Sequence, residues 1–66
     1  MTAQQMIESN NAKIEVKRLE LIEAIKQIGK TTTLPEFRQI NLVVANIQND
    51  MAKLFNENEL INQLNS

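Results

Sequence analysis

The sequence predicts an all-α protein: a two-helix antiparallel hairpin that pairs with a second copy into a homodimeric four-helix bundle. Three observations lead there. The 66 residues include one Gly and one Pro, too few turn formers for a many-stranded β fold. Those two, Gly29 and Pro35, fall together near the midpoint of the chain. Beyond them, apolar residues recur at spacings of three and four for over three heptads, the pattern of a supercoiled helix seam.

The first helix is expected over about residues 3–28. Thr2-Ala3-Gln4-Gln5 has the form of a capping box, in which the Thr2 hydroxyl and the Gln5 side chain satisfy each other's backbone N–H groups. Ser9 with Asn10 offers a later start. Ile7, Ile14, Leu21 and Ile28 repeat every seven residues, and Gln4, Asn11, Arg18 and Ile25 are expected at the alternate seam positions. This seam is apolar near the turn and polar toward the free end. Arg18 is the residue least suited to such a face. One reading has its stem covering the seam while its head reaches water or Glu15. A second has Arg18, Asn11 and Asn58 fixing register and dimer orientation. In a third, Arg18 binds a carboxylate of a ligand or partner.

The turn is expected over about residues 29–33, with Gly29 as a left-handed helix cap. Lys26 and Lys30 sit where cations favour the negative end of the helix dipole. Thr33-Leu34-Pro35-Glu36 repeats the capping-box form, although Leu34 could be the cap with Pro35 as the first helical residue. The second helix is expected over about residues 34–64. Its seam reads Phe37, Ile40, Val44, Ile47, Met51, Leu54, Asn58 and Ile61. Leu34 and Phe55 on one flank, with Val43 and Leu64 on the other, widen the apolar stripe beyond what one partner helix covers. Leu21, Ile22, Ala24, Ile25 and Ile28 are expected to face Phe37, Ile40, Val43 and Val44 in the best-packed layer.

A chain this short buries only about 60% of its unfolded surface, and domains of such size lean on a disulfide, a metal or a partner chain. With no Cys and no His, disulfides and the usual zinc sites are excluded. Leu, Ile, Val and Phe nevertheless make 20 of the 66 residues, above the level expected of a disordered chain. Self-association through a two-fold interface is the economical solution. The expected oligomer interface is Ile14, Leu21, Ile25 and Ile28 of the first helix with Phe37, Ile40, Val44, Ile47, Met51, Leu54 and Ile61 of the second. Ala12, Val16 and Leu19 lie on the other side of the first helix and are the candidate face for a different protein.

Catalysis lacks its usual groups, since His, Cys and Tyr are all absent. Glu20 with Glu23, and Glu57 with Glu59, read as solvated charges rather than an acid/base pair. The chain is therefore expected not to be an enzyme, and neither a cofactor nor a metal is expected. Lys13, Lys17 and Arg18 are the candidate nucleic-acid contacts. The first helix and its end carry five cations against four carboxylates, well short of a phosphate-tracking stripe. Both aromatic residues, Phe37 and Phe55, belong to the seam or its edge, which leaves no stacking platform for bases. Nucleic acid is thus the less favoured partner.

In hairpin length and symmetry the chain is similar to the small plasmid copy-control proteins that dimerise as two helical hairpins and clamp paired RNA loops, with no residue motif in common. It is also similar in outline to the short helical-hairpin phosphatases of sporulation response regulators, since Lys13 to Gly29 followed by a second helix has their layout. The Ser-Gln-Glu-Leu-Asp signature of that family is replaced here by Asn41-Leu42-Val43-Val44-Ala45, so its acidic catalytic element is missing.

The longest apolar run, Leu42 to Ala45, falls far short of the ~20 residues that span a bilayer. Met1 to Gln5 lacks the features of a secretory signal. The expected location is the cytoplasm. The expected role is a small regulator or assembly factor acting by protein–protein contact; an RNA-binding regulator and a purely structural oligomerisation module are the alternatives.

Overall fold

The computed structural model describes residues 1–65. It contains two helices packed against each other, α1 (Ala3–Ile28) and α2 (Leu34–Leu64), of 26 and 31 residues. Both start where side chains satisfy the first free backbone donors. The Gln5 amide N–H donates to Thr2 Oγ1 at 3.1 Å, and the Thr2 N–H donates to Gln5 Oε1 at 2.9 Å. Thr33 caps α2 by accepting from the Glu36 N–H at 3.4 Å. The Glu36 carboxylate reaches back one residue further than a regular box would, accepting from the Thr32 N–H at 3.2 Å. Leu34 and Pro35 are therefore the first two helical residues, which settles the choice of cap in favour of Thr33.

Gly29 departs from the expected left-handed cap. Its φ of −65° and ψ of −15° are right-handed, and no described residue has a positive φ. The chain leaves α1 by tightening instead. The Lys30 N–H donates to the Gln27 carbonyl at 3.0 Å, and the Thr31 N–H and hydroxyl both donate to the Ile28 carbonyl, at 3.2 and 2.8 Å. The Thr31 hydroxyl thus satisfies one of the last carbonyls of α1.

The least exposed positions of α2 are Ile40, Val44, Ile47, Asp50, Met51, Leu54, Asn58 and Ile61. This is the heptad seam read from the sequence, with Asp50 added on its flank and Phe37 left 40% exposed at the turn end. In α1 the phase differs from expectation. Ile7, Ile14, Leu21 and Ile28 do turn inward, but the alternate seam positions are Ala3, Asn10, Lys17 and Ala24, each one residue before Gln4, Asn11, Arg18 and Ile25. Ile25 stays 53% exposed and Ile22 38% exposed, so neither joins the layer against α2. Val43, expected opposite them, is also exposed.

Two causes select this phase. Small side chains at Ala3 and Ala24 let the two backbones approach closely. In antiparallel register, Asn10 and Lys17, seven residues apart, also meet Glu57 and Asp50, seven residues apart. Gln4 or Ile25 in place of either alanine would hold the helices apart.

The hairpin is a rod of 50 × 15 × 13 Å with a radius of gyration of 15.3 Å, against about 11 Å for a compact chain of this length. Among the described residues only Ala24 and Ile47 are buried apolar ones, and no large side chain is fully enclosed. Ile47→Asp, which sets a carboxylate at the most enclosed large apolar position, should cost about 3 kcal/mol or more. Circular dichroism should show the helical signal lost at 25 °C; wild-type ellipticity in that variant would contradict this account of the core.

Candidate functional site

The structure concentrates its polar chemistry at the open half of the seam. Asn10 is only 4% exposed. Its amide NH2 donates to Glu57 Oε1 at 3.1 Å and to Asn58 Oδ1 at 3.0 Å, while the Asn58 amide donates to Asn11 Oδ1 at 3.0 Å. Asn11 and Asn58 therefore do meet, as a register device requires. Asn10, which the periodicity did not single out, is the buried member of the set. Sequence offered one signal for it: two polar pairs with matching seven-residue spacing, Asn10 with Lys17 and Glu57 with Asp50, aligned by the antiparallel turn.

About two turns closer to the loop, Lys17 Nζ lies 3.5 Å from Asp50 across the seam and 3.4 Å from Glu20 on its own helix. Its pKa is raised, mainly by the hydrogen bond to Glu20, with Asp50 adding to it. Arg18 lies outside the seam. Its Nη2 donates to Glu15 Oε1 at 2.6 Å and its Nε to Oε2 at 3.0 Å, a forked pair on an exposed surface. That hydrogen bond lowers the Glu15 pKa and raises that of Arg18.

These contacts also divide the hairpin into two flat faces. Glu57, Asp50 and Lys17 meet on one flank of the seam, so Lys13, Glu20, Val43 and Leu64 edge the same face. Asn11 lies on the other flank, with Arg18, Ile25, Leu34, Asn41, Gln48 and Phe55. Lys13 and Lys17 consequently belong to one face and Arg18 to the opposite one. The three candidate nucleic-acid contacts share no patch, and two of them are already paired with carboxylates.

Ala12, Val16 and Leu19 are exposed on the back of α1, away from α2, with Val16 and Leu19 each at 55%. Of the expected oligomer residues, Ile14, Leu21, Ile28, Ile40, Val44, Ile47, Met51, Leu54 and Ile61 line the contact between α1 and α2, whereas Ile25 and Phe37 remain largely open. A shallow groove of about 260 Å³ at the open end is lined by Ala3, Met6, Ile61, Leu64 and Asn65. It holds no titratable side chain. Among the described residues no cluster of three or more metal-ligating side chains occurs, and no helix is long and apolar enough to cross a membrane. What this surface offers is apolar area bordered by amides, suited to adhesion.

A double-mutant cycle on Asn10→Ala and Asn58→Ala should return a coupling of about 1 kcal/mol in denaturant unfolding. Strict additivity would mean that the amide contact is not formed. The ion pairs predict weak pH wings. The lowered Glu15 pKa gives a contribution present above its ordinary value near 4.5 and lost as pH falls through the folded value. The raised Lys17 pKa gives one present below 10.5 and lost as pH rises past it. Glu15→Gln should flatten the acid wing of the melting temperature and Lys17→Met the alkaline wing, and a curve unchanged by either would refute the corresponding pair. No protein-family model matches the chain, and no curated protein or solved structure matches it either.

Proposed function

We propose that this chain is a small cytoplasmic, non-enzymatic regulator or assembly factor that works by protein–protein contact, with a homodimeric four-helix bundle as its working form. The observation that carries this reading is unspent surface. The hairpin exposes 5059 Å², whereas a folded monomer of 7.6 kDa is expected to expose about 4,300 Å². The excess, roughly 750 Å² by the same scaling, is close to the ~800 Å² that each partner contributes to a standard protein interface. Ile22, Ile25, Leu34 and Phe37, all around the turn-proximal half, are among the apolar side chains that make up that surface. A second copy of the hairpin supplies what they lack, a facing layer of the same length.

Ala12, Val16 and Leu19, spaced four and three apart on the back of α1, then remain outside such a bundle. They fit the apolar stripe of an amphipathic helix on a different protein. The RNA-binding alternative has less support, because Lys13 and Lys17 stand on a different face from Arg18.

Sedimentation equilibrium of the purified chain should give a mass near twice 7.6 kDa at micromolar concentration. Cells expressing a tagged chain should yield a stoichiometric protein partner whose capture is lost in Val16→Glu. A monomer at about 100 μM would overturn the dimer, and salt-dependent binding of RNA near micromolar protein would favour the alternative.

A further inference from the structure

The two flat faces of the hairpin are not equivalent, and the difference selects one of them for the second copy. Beside the seam, the face marked by Lys17 and Asp50 is edged by Met6, Lys13, Glu20 and Gln27 of α1 and by Val43, Asp50, Glu57 and Leu64 of α2. Half of these edge positions carry a charge. The opposite face is edged by Gln4, Asn11, Arg18 and Ile25 of α1 and by Leu34, Asn41, Gln48, Phe55 and Asn62 of α2. Its one charge, Arg18, is already neutralised by the forked bond to Glu15. Just outside this edge, Ile22 adds apolar surface in line with Glu8 and Glu15, and Ala45 and Ala52 keep the α2 side low between Arg38 and Glu59.

Layer-on-layer packing buries the seam together with one pair of edges, so the cost of removing charge from water decides between the faces. Burying the Asp50 face would strip water from Lys13, Glu20, Asp50 and Glu57 at once. The other face offers Ile25, Leu34 and Phe55, which are 53, 57 and 54% exposed in the single hairpin, and amides that can hydrogen-bond to their equivalents across a two-fold axis. We infer that a second copy of this chain docks on the face carrying Ile22, Ile25, Leu34 and Phe55, leaving the Lys17–Asp50 face in water. The inference rests on the dimer proposed above. It also explains why α1 tolerates Ile25 outside its own seam: in the assembly Ile25 is a core residue, but of the layer between hairpins.

The test pairs charge insertions on the two faces with a probe that leaves the core intact. By sedimentation equilibrium, Ile25→Glu and Phe55→Glu should each weaken dimerisation more than tenfold, while Val43→Glu and Leu64→Glu change it less than threefold. The reverse ranking would overturn the choice of face and leave the dimer standing. A monomeric wild type would instead remove the dimer itself. Should the glutamate variants unfold, nitroxide labels on Gln48→Cys and Lys13→Cys decide the question, because both positions are polar and exposed. Collision with a water-soluble nickel complex should be several-fold lower at position 48 than at position 13. Lower accessibility at position 13 would overturn the proposal.

Discussion

Two helices lying side by side can hide only the stripe along which they touch. That geometric constraint governs everything else in this molecule. Each helix turns roughly a third of its circumference to its neighbour, and no third element covers the remainder. Hence Ala24 and Ile47 are the buried apolar residues among those described, and Val44, Met51, Leu54 and Ile61, on the same seam, keep part of their surface in water. Capping at Thr2 and Thr33 and the tightened exit through Thr31 keep the helix ends satisfied, but end effects of this kind are each worth about 1 kcal/mol. The enclosed core that holds a larger domain together is missing from the single chain.

Within that constraint, side-chain size and cross-seam polar pairs together fit one rotation of α1. A helix with Ile7, Ile14, Leu21 and Ile28 on one line can present either of two neighbouring lines beside it. One reads Ala3, Asn10, Lys17 and Ala24; the other reads Gln4, Asn11, Arg18 and Ile25. The second holds the larger apolar side chain in Ile25, yet the first prevails. It places Asn10 against Glu57 and Asn58, and Lys17 against Asp50. Paired polar groups near the seam thus cost little, and the small side chains of Ala3 and Ala24 sit where Gln4 and Ile25 would hold the backbones further apart. The consequence is carried outward: Ile25 is turned to the surface, on a face whose edges carry Ile25, Leu34 and Phe55 among amides with Arg18 as their one charge.

Sequence made the two helices, the turn between them and the seam of α2 legible, because Gly29 and Pro35 punctuate the chain and the α2 heptad is apolar at seven of eight positions. It misled at two places. Gly29 suggested a left-handed cap, but the Thr31 hydroxyl on the Ile28 carbonyl made a right-handed exit sufficient. Hydrophobicity alone puts the alternate line of the α1 seam one residue late, because it ranks Ile25 above Ala24, and periodicity carries no information about which carboxylates wait across the interface. The polar cluster was half visible: Asn11 and Asn58 lay on expected seam lines, while Asn10 emerges only once the register is known. Arg18, taken as a seam residue, pairs with Glu15 on the surface, which is where the shorter-range rule of i to i+3 neighbours put it.

If the hairpin completes its core with a second copy, its thermal stability must depend on how much protein is present. Melting followed by circular dichroism from about 1 μM to 1 mM tests this most directly. The account predicts a melting temperature that climbs steadily over that range, with a single cooperative transition. A cooperative melt at the same temperature across the whole range would contradict it, since the isolated two-helix layer would then be stable on its own.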